Sequence, residues 1–377
     1  MKNNNISVRH IAGTFTVISV FFAILFIQTS IAYGQTMSIE EYEPKSTLIV
    51  PEHIITKAKF PFIDIHNHQR LERTPEDLAK MAAEMDEMNM KVLVNLSGRS
   101  GEDLAKGIEA LKGKYENRFL IFANVDFSKI DEPDFGKRAA AQLEADVKNG
   151  AKGLKIFKSL GLTTVDSKGQ RVHTDDPRLD PIFQKCAELK IPVLIHTGEP
   201  RSFFDPHDKY NERWLELKQF PDRARPADRY PSWEVVMQEQ HNLFARNPKT
   251  IFINAHFGWL GNDLASLGKL LDKYPNVYPE VAAIVAELGR QPKSAREFFI
   301  KYQDRVLFGK DTYRPSEYHT YFRIFETSDE YFDYFRKRHA FWQMYGLNLP
   351  DEVLKKFYYK NALKIVPGID RSLFPKD

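Results

Sequence analysis

Eight short apolar runs, each followed by a segment with helical spacing, constrain the fold of this chain more than any other feature. The runs are almost continuously hydrophobic rather than alternating, which is typical of strands covered on both faces, and the intervening helices imply parallel crossovers. The runs cover residues 60–65, 91–96, 119–125, 152–157, 191–195, 250–255, 277–283 and 305–308. Eight such units predict an α/β fold in which the strands close into a (β/α)8 TIM barrel.

An open, doubly wound parallel sheet is the alternative fold. That fold usually carries a glycine-rich phosphate turn after its first strand, whereas His66-Asn67-His68 follows the first apolar run here. The barrel is therefore preferred.

Two connections are unusually long, residues 197–249 after predicted strand five and residues 312–350 after predicted strand eight. Both follow the carboxyl ends of strands, where the active sites of TIM barrels lie. We expect these insertions to form lids or substrate walls, or else helices that merely cover the barrel.

The amino terminus has the pattern of a secretory signal peptide. Lys2, Arg9 and His10 precede an apolar run over residues 11–27, and small residues follow at 32–34. We therefore predict a signal peptide over residues 1–34, an N-terminal extension over 35–59 and one barrel domain over 60–377. The protein is expected to be exported, periplasmic or secreted, without stable membrane insertion after processing; an uncleaved membrane anchor is the alternative.

The net charge indicates which class of molecule this chain binds, and the cysteine content shows whether disulfides can form. The formal net charge is +3, and removal of the two basic residues of the signal peptide leaves +1, so no basic footprint points to nucleic acid. A small molecule, anionic or cyclic, is the expected partner, and the choice between monomer and homo-oligomer stays open. The single cysteine, Cys186, excludes internal disulfides and is predicted to be a buried, unreactive thiol in a helix.

Polar side chains of the types that bind metals follow several predicted strands. Residues two apart on a strand face the same side, so His66 and His68 can direct both imidazoles at one ion in the barrel mouth. Three more candidates stand directly after strands five, six and eight: His196, His256 and Asp311. The remaining histidines lie in predicted helices or loops, where surface positions are expected: His53, His173, His207, His241, His319 and His339.

This set of side chains predicts a hydrolytic metal site. Imidazoles with one carboxylate and no thiolate suit one divalent ion such as Zn²⁺, with a position left for water. Such an ion lowers the pKa of bound water to about 7, giving a hydroxide nucleophile, and polarises a carbonyl group. Asp311 can act as ligand and base together, while His256 can orient the water, polarise the carbonyl or pass a proton to the leaving group.

The strand-end motifs resemble those of the amidohydrolase superfamily, specifically its amidohydrolase-related (amidohydrolase 2) branch. The resemblance extends from about residue 60 to 366 and rests on residues 63–68, 193–196, 253–258, 307–311 and the Asn-Ala pair within 357–363. It implies a TIM barrel with a single divalent ion held by the strand-one pair, the strand-five histidine and the strand-eight aspartate. Those ligands are here His66, His68, His196 and Asp311, and the implied catalytic residue is His256.

Other residues near the predicted site are assigned by position. Superfamily relatives with two metals carry a carboxylated lysine on strand four, so Lys155 makes a second metal conceivable. The first candidates for substrate contact are Lys158, Trp259, Glu280, Tyr313 and Arg314.

Three functions are compatible with this sequence. The leading one is hydrolysis of a small cyclic amide, ester or lactone by metal-bound hydroxide. The alternative is metal-dependent, non-oxidative decarboxylation of an aromatic or enoic acid, which relatives in this branch perform. Some of those relatives have Glu where His66 stands, which favours hydrolysis. The third is a non-catalytic metal-binding barrel, which an incompletely filled ligand set disfavours.

Overall fold

A computed structural model describes residues 37–339 and 341–376. The predicted signal peptide, residues 1–34, lies outside the described residues. The chain divides into two units, Met1–Ser46 and Thr47–Asp377. The described part of the first unit is exposed and contains one turn, in which the backbone N–H of Tyr42 donates to the carbonyl oxygen of Ser38 over 3.1 Å. Among the described residues, no helix combines the length and the apolar character needed to cross a bilayer.

Parallel strands form the centre of the second unit. The strands are β1 (Phe62–Asn67), β2 (Met90–Asn95), β3 (Phe119–Ile121), β4 (Ala123–Asn124), β5 (Leu154–Ile156), β6 (Val193–Ile195), β7 (Phe252–Asn254), β8 (Val277–Pro279), β9 (Phe332–Asp333) and β10 (Gln343–Met344). Strands β1 to β3 form one parallel sheet, β4 to β8 form a second, and β9 pairs with β10 in an antiparallel hairpin. Their side chains are largely buried on both faces, as the apolar runs predict.

The third predicted strand joins the two sheets. It divides at Phe122 into β3, which pairs with β2, and β4, which pairs with β5. The backbone N–H of Phe122 still donates to the carbonyl oxygen of Asn95 over 2.9 Å, so the order of strands continues across the division. One long strand over 119–125 is therefore replaced by two short ones.

The prediction of a regular eighth strand is wrong in detail. Residues 305–308 make only bridge contacts, yet they connect the two edges: the N–H of Ile65 donates to Phe308 and that of Leu307 donates to Pro279, over 3.1 and 2.9 Å. The chain leaves extended geometry soon afterwards, because Asp311 has a positive φ of 78°. These bonds link β1 to β8 and close the barrel.

Helices surround the strands. Their bounds are α1 (Pro75–Glu87), α2 (Gly101–Glu109), α3 (Phe135–Asn149), α4 (Asp180–Leu189), α5 (Trp214–Gln219), α6 (Trp233–Arg246), α7 (Leu264–Lys273), α8 (Val285–Gly289), α9 (Pro292–Lys301), α10 (Pro315–Glu326), α11 (Asp351–Lys355) and α12 (Asn361–Ile365). Sequence signals fix several ends: Thr74 caps α1 by accepting from the N–H of Asp77, and Gly150 follows α3 with a φ of 124°. Cys186 lies buried in α4, as predicted.

The two long connections contain α5, α6, α10 and the β9–β10 hairpin. On α10 the aromatic side chains Tyr318, Tyr321 and Phe322 are completely buried, so this helix belongs to the core. The prediction of a surface position for His339 is wrong: it is 1% exposed, and its Nε2 lies 3.2 Å from a carboxylate oxygen of Glu216. The pairing with Glu216, itself buried and bonded to Arg213, is what keeps this histidine inside.

Candidate metal centre

Three predicted ligands meet where β1 ends. His66 and His68 are separated by one residue, and the Nε2 atoms of the two imidazoles lie 3.5 and 3.6 Å from the same oxygen, Oδ1 of Asp311. Asn67 and Asp311 form an isolated parallel β-bridge, in which the backbone N–H of Asp311 donates to the carbonyl oxygen of His66 over 2.6 Å. The closure of the barrel thus places the strand-one pair against the aspartate.

His196 and His256 occupy the neighbouring part of the barrel mouth. His196 follows β6 directly, and its Nδ1 lies 3.3 Å from Nε2 of His256. The ring of His256 is close to the rings of both His196 and His66, with centroid distances of 4.3 Å to His196 and 5.0 Å to His66. The nitrogens of His66 and His68 and the carboxylate of Asp311 lie within 4.8 Å of one another, and His196 stands outside that group.

The hydrogen bonds of His256 determine which nitrogen of His196 is available. Nδ1 of His256 lies 2.7 Å from the carbonyl oxygen of Ala282, which only accepts, so this nitrogen carries the hydrogen. In a neutral ring Nε2 then accepts, and the hydrogen between the two histidines belongs to Nδ1 of His196. The remaining Nε2 of His196 therefore presents a lone pair.

The donor set fits a divalent metal ion. Nε2 of His66 and Nε2 of His196 are both buried, and neither has a hydrogen-bond partner within the described residues. Burial lowers the pKa of His66 and His196 well below the usual value and that of His68 to about 4, so the rings are neutral. Burial opposes ionisation of Asp311, but attraction of its carboxylate to the protonated forms of the facing His66, His256 and His68 rings, and to Lys155, holds its pKa below the usual range. Neutral imidazoles and a carboxylate are the forms that bind metals.

A buried lysine stands beside this cluster. Lys155, in the middle of β5, is 1% exposed, and its Nζ has no hydrogen-bond partner in the part of the chain that the structure describes. Burial lowers its pKa to about 7, although Asp311 and Glu280 raise it. Its ammonium form disfavours a second cation nearby, because like charges in a buried site repel.

His256 is carried by an unusual turn. His256, Phe257 and Gly258 all have left-handed backbone angles, with φ of 56°, 55° and 58°. A Cβ on Gly258 would lie 2.4 Å from the side chain of Asn254, so only glycine fits there. The turn also brings Trp259 onto His256, with the rings stacked at a centroid distance of 4.5 Å.

The proposed substrate residues fall into different surroundings. Lys158 is 44% exposed and its Nζ lies 2.6 Å from Glu199, whose carboxylate also accepts from Arg225 over 2.8 Å. The hydroxyl of Tyr313 donates to the carbonyl oxygen of Met81, and Arg314 is exposed beside Glu317.

Glu280 lies beneath the histidines rather than in the mouth. Its side chain is fully buried, and both carboxylate oxygens accept hydrogen bonds from His66, His256 and Ala282. This placement favours a contact with the histidines over the predicted contact with substrate.

Two cavities flank the cluster. One, of about 350 Å³, is lined by Trp259, Arg213 and Glu287, among others. The other, of about 380 Å³, is lined by His68, Ser97 and Phe157. Either volume accommodates a small-molecule substrate.

Sequence reasoning did not identify several supporting groups. Asp64 is fully buried, and its carboxylate accepts from the N–H groups of His66 and Lys310 and from the hydroxyl of Tyr318. Burial raises the pKa of Asp64 to about 6, while these donors lower it. The sequence does contain a signal for Asp64, because an acidic residue between Ile63 and Ile65 in an apolar strand indicates a buried carboxylate with a specific partner. Ser97, whose hydroxyl lies 2.9 Å from Nδ1 of His68, has no comparable signal.

A separate cluster of His173, Asp175 and Glu239 also has metal-binding side chains. Arg171, however, donates to both oxygens of Glu239, and the N–H of Thr174 donates to one of them. The carboxylate is therefore already neutralised, and the cluster is an ion-pair network.

A sequence profile of the amidohydrolase family matches residues 63–368, most of the chain. The chain belongs to the amidohydrolase family. The match confirms the resemblance drawn from the strand-end motifs and makes this chain an enzyme of the amidohydrolase superfamily. No curated protein matches the sequence of this amidohydrolase.

Solved structures agree on the architecture. An uncharacterised TIM-barrel protein from Bordetella bronchiseptica is similar, with 17% identity, a TM-score of 0.50 and coverage of 81% of this chain and 98% of that one. A dihydroxybenzoic acid decarboxylase from Polaromonas sp. JS666, with bound manganese and the inhibitor 2-nitroresorcinol, has 13% identity, a TM-score of 0.51 and coverage of 81% and 96%. These similarities confirm the α/β TIM-barrel fold of this amidohydrolase.

Proposed function

We propose that this amidohydrolase is a metal-dependent hydrolase of a small cyclic amide, ester or lactone. The observation that carries the proposal is the convergence of the Nε2 atoms of His66 and His68 on one oxygen of Asp311, at 3.5 and 3.6 Å. His196 completes the proposed ligand set through its unpartnered Nε2. Three imidazoles and one carboxylate suit one Zn²⁺ ion with a position left for water.

The ion, when bound, would lower the pKa of a water molecule and polarise the carbonyl group of the substrate. Asp311, ionised and facing the same space, accepts the proton that the attacking water loses. His256 is neutral, because burial lowers its pKa. Its Nε2 accepts from His196 in the present arrangement and carries no hydrogen. It can orient the water by accepting from it, and it can protonate the leaving group after taking from Asp311 the proton that the water lost.

Lys158, Glu199 and Arg225 support a substrate that carries negative charge. Glu199 binds both cations through one oxygen, so the group keeps a net positive charge, and Lys158 remains 44% exposed. Lys158 lies close enough to His196 to lower the pKa of that imidazole. An ammonium group with free donors at this position can bind a carboxylate of the substrate.

Non-oxidative decarboxylation is the second candidate. The exposed ammonium group of Lys158, and the buried Lys155 when it is protonated, suit an aromatic or enoic carboxylate, and the similar Polaromonas structure is a decarboxylase. The histidine at position 66 favours hydrolysis, since some decarboxylases of this branch carry a glutamate there.

A substrate panel separates the two reactions. Protein loaded with Zn²⁺, and in parallel with Mn²⁺, is supplied with lactones, cyclic amides and aromatic carboxylic acids, while acid release and CO₂ release are recorded. We expect acid release, absent from Asp311→Asn. CO₂ release alone would replace hydrolysis by decarboxylation, and equal rates in Asp311→Asn would contradict both.

We also propose that the chain is exported with cleavage near residue 34. Amino-terminal sequencing of protein from the native host would give a start near Gln35. A start at Met1 in the membrane fraction would favour the uncleaved anchor.

A further inference from the structure

Glu280 follows β8 and is completely enclosed. Oε1 lies 2.8 Å from Nδ1 of His66 and also accepts from the backbone N–H of His256 over 2.8 Å. Oε2 accepts from the N–H of Ala282 over 2.7 Å. Groups from β1, from the connection after β7 and from the connection after β8, to which Glu280 itself belongs, therefore converge on one carboxylate.

The missing side chain of Gly309 creates the space that the Glu280 carboxylate occupies. A Cβ on Gly309 would lie 2.3 Å from Oε2 of Glu280 and 3.0 Å from Cβ of His66. Any side chain at this position would displace the carboxylate, the ligand or both. Glycine at position 309 thus preserves the contact between Glu280 and His66.

The contact determines where His66 carries its hydrogen. Backbone N–H groups donate to both oxygens of Glu280, which favours the carboxylate over the carboxylic acid, although burial raises the pKa of Glu280. A carboxylate only accepts, so Nδ1 of His66 is the donor. The lone pair of the ring then resides on Nε2, the buried atom that faces Asp311 and has no hydrogen-bond partner among the residues described.

The side chain of Glu280 and the neighbouring backbone together restrain His256. The Glu280 carboxylate accepts from the N–H of His256. The backbone carbonyl oxygen of Glu280 accepts from the N–H of Phe257 over 3.0 Å, and that of Ala282 accepts from Nδ1 of His256. These bonds hold two residues in left-handed conformation, which is strained for residues with a side chain.

We propose that Glu280 is a positioning residue: it fixes His66 in the tautomer that offers Nε2 to the metal, and it holds the strained turn that carries His256. This inference rests on the metal site of the proposed function. Carboxylates that orient metal-binding histidines typically contribute about 10-fold to 100-fold to metal affinity.

The first test measures the tautomer in the unaltered, metal-free protein. Ring ¹⁵N-labelled histidine is incorporated, and the His66 signals are assigned by their loss in His66→Gln. We expect hydrogen on Nδ1 and a bare Nε2. Hydrogen on Nε2 would overturn the proposal, whether or not the protein binds a metal, so this result is independent of the proposed function.

The second test measures the affinity for Zn²⁺ alone, by competition with a chelator, in Glu280→Gln. An amide nitrogen cannot accept, so one of the backbone donors loses its partner and the orientation of His66 relaxes. We expect affinity about 10-fold to 100-fold below wild type. Glu239→Gln is the matched control, since Glu239 is also buried and accepts from a backbone N–H, but pairs with Arg171.

The control should keep wild-type affinity for Zn²⁺ even if its thermal stability falls. Equal affinities of Glu280→Gln and wild type would contradict the proposal. If Glu280→Gln does not fold, the tautomer of His66 measured in the wild-type protein alone determines whether the proposal stands. Wild-type protein without affinity for Zn²⁺ or Mn²⁺ would instead contradict the proposed function.

Discussion

Nδ1 of His196 and Nε2 of His256 lie 3.3 Å apart, so a ligand of the proposed metal site and its proposed proton carrier share one hydrogen bond. Asparagine at position 256 retains a donor equivalent to Nδ1, which can still reach Ala282, but lacks the atom that reaches His196. We expect His256→Asn to lower kcat by about 10² to 10⁴, the range of general acid–base catalysis. At saturating Zn²⁺ the metal content should stay at the wild-type level, because the four proposed ligands, His66, His68, His196 and Asp311, are all retained, and the pair of measurements separates catalysis from binding. Unchanged kcat would exclude the role of His256.

The positive group at the barrel mouth gives a prediction about substrate charge. Lys158→Met leaves Glu199 bound to Arg225 but removes the exposed ammonium group. Hydrogen bonds to charged groups contribute about 1.5 to 3 kcal/mol, so KM for an anionic substrate should rise at least about tenfold. KM for its uncharged analogue should not change. Lys148→Met, which removes an exposed lysine paired with Glu144 on α3, is the control; equal effects on both analogues would refute the assignment.

The sequence predicted the order of barrel strands because each apolar run is continuous and short. It predicted His66, His68, His196, His256 and Asp311 as one group because parallel strands end at the same face of a barrel. The grouping concerns only which side chains lie near one another, and their roles as metal ligands or catalytic groups stay predictions.

Contacts between distant parts of the chain were not predictable in the same way. Glu280 and His66 are 214 residues apart, and nothing local to position 280 distinguishes a substrate contact from a hydrogen bond beneath the site. His339 has a polar sequence environment, yet Glu216 holds it in the interior. The division of the third strand at Phe122 and the loss of a regular eighth strand depend on barrel closure, which no local pattern records.

Acid should destabilise the metal-free protein through its buried histidines, an effect that the raised pKa of Asp64, about 6, offsets in part. Burial lowers the pKa of both His68 and His339 from 6.5 to about 4. Between these pH values the unfolded chain binds protons that the folded chain does not, so stability is complete above about pH 6.5 and decreases towards pH 4. For the buried His339 the loss is at most about 3 kcal/mol. Urea unfolding at pH 7, 6 and 5 measures it, and a constant midpoint would disprove it.

Cys186 should not react in the folded protein. It is buried in α4, and burial raises the pKa of its thiol, so thiolate is scarce and inaccessible. A thiol reagent such as Ellman's should titrate no group in native buffer and one group per chain in denaturant. Rapid labelling of native protein would show that the α4 region opens readily.

The metal content of the purified chain tests the central claim most directly. After dialysis with Zn²⁺ and removal of free ion, elemental analysis should find about one ion per wild-type chain, since one incomplete ligand set of three imidazoles and a carboxylate binds one ion. His66→Ala and Asp311→Ala should each lose most of it, while Glu239→Gln keeps it. A wild-type chain without metal, or ligand variants that retain a full equivalent, would contradict the account.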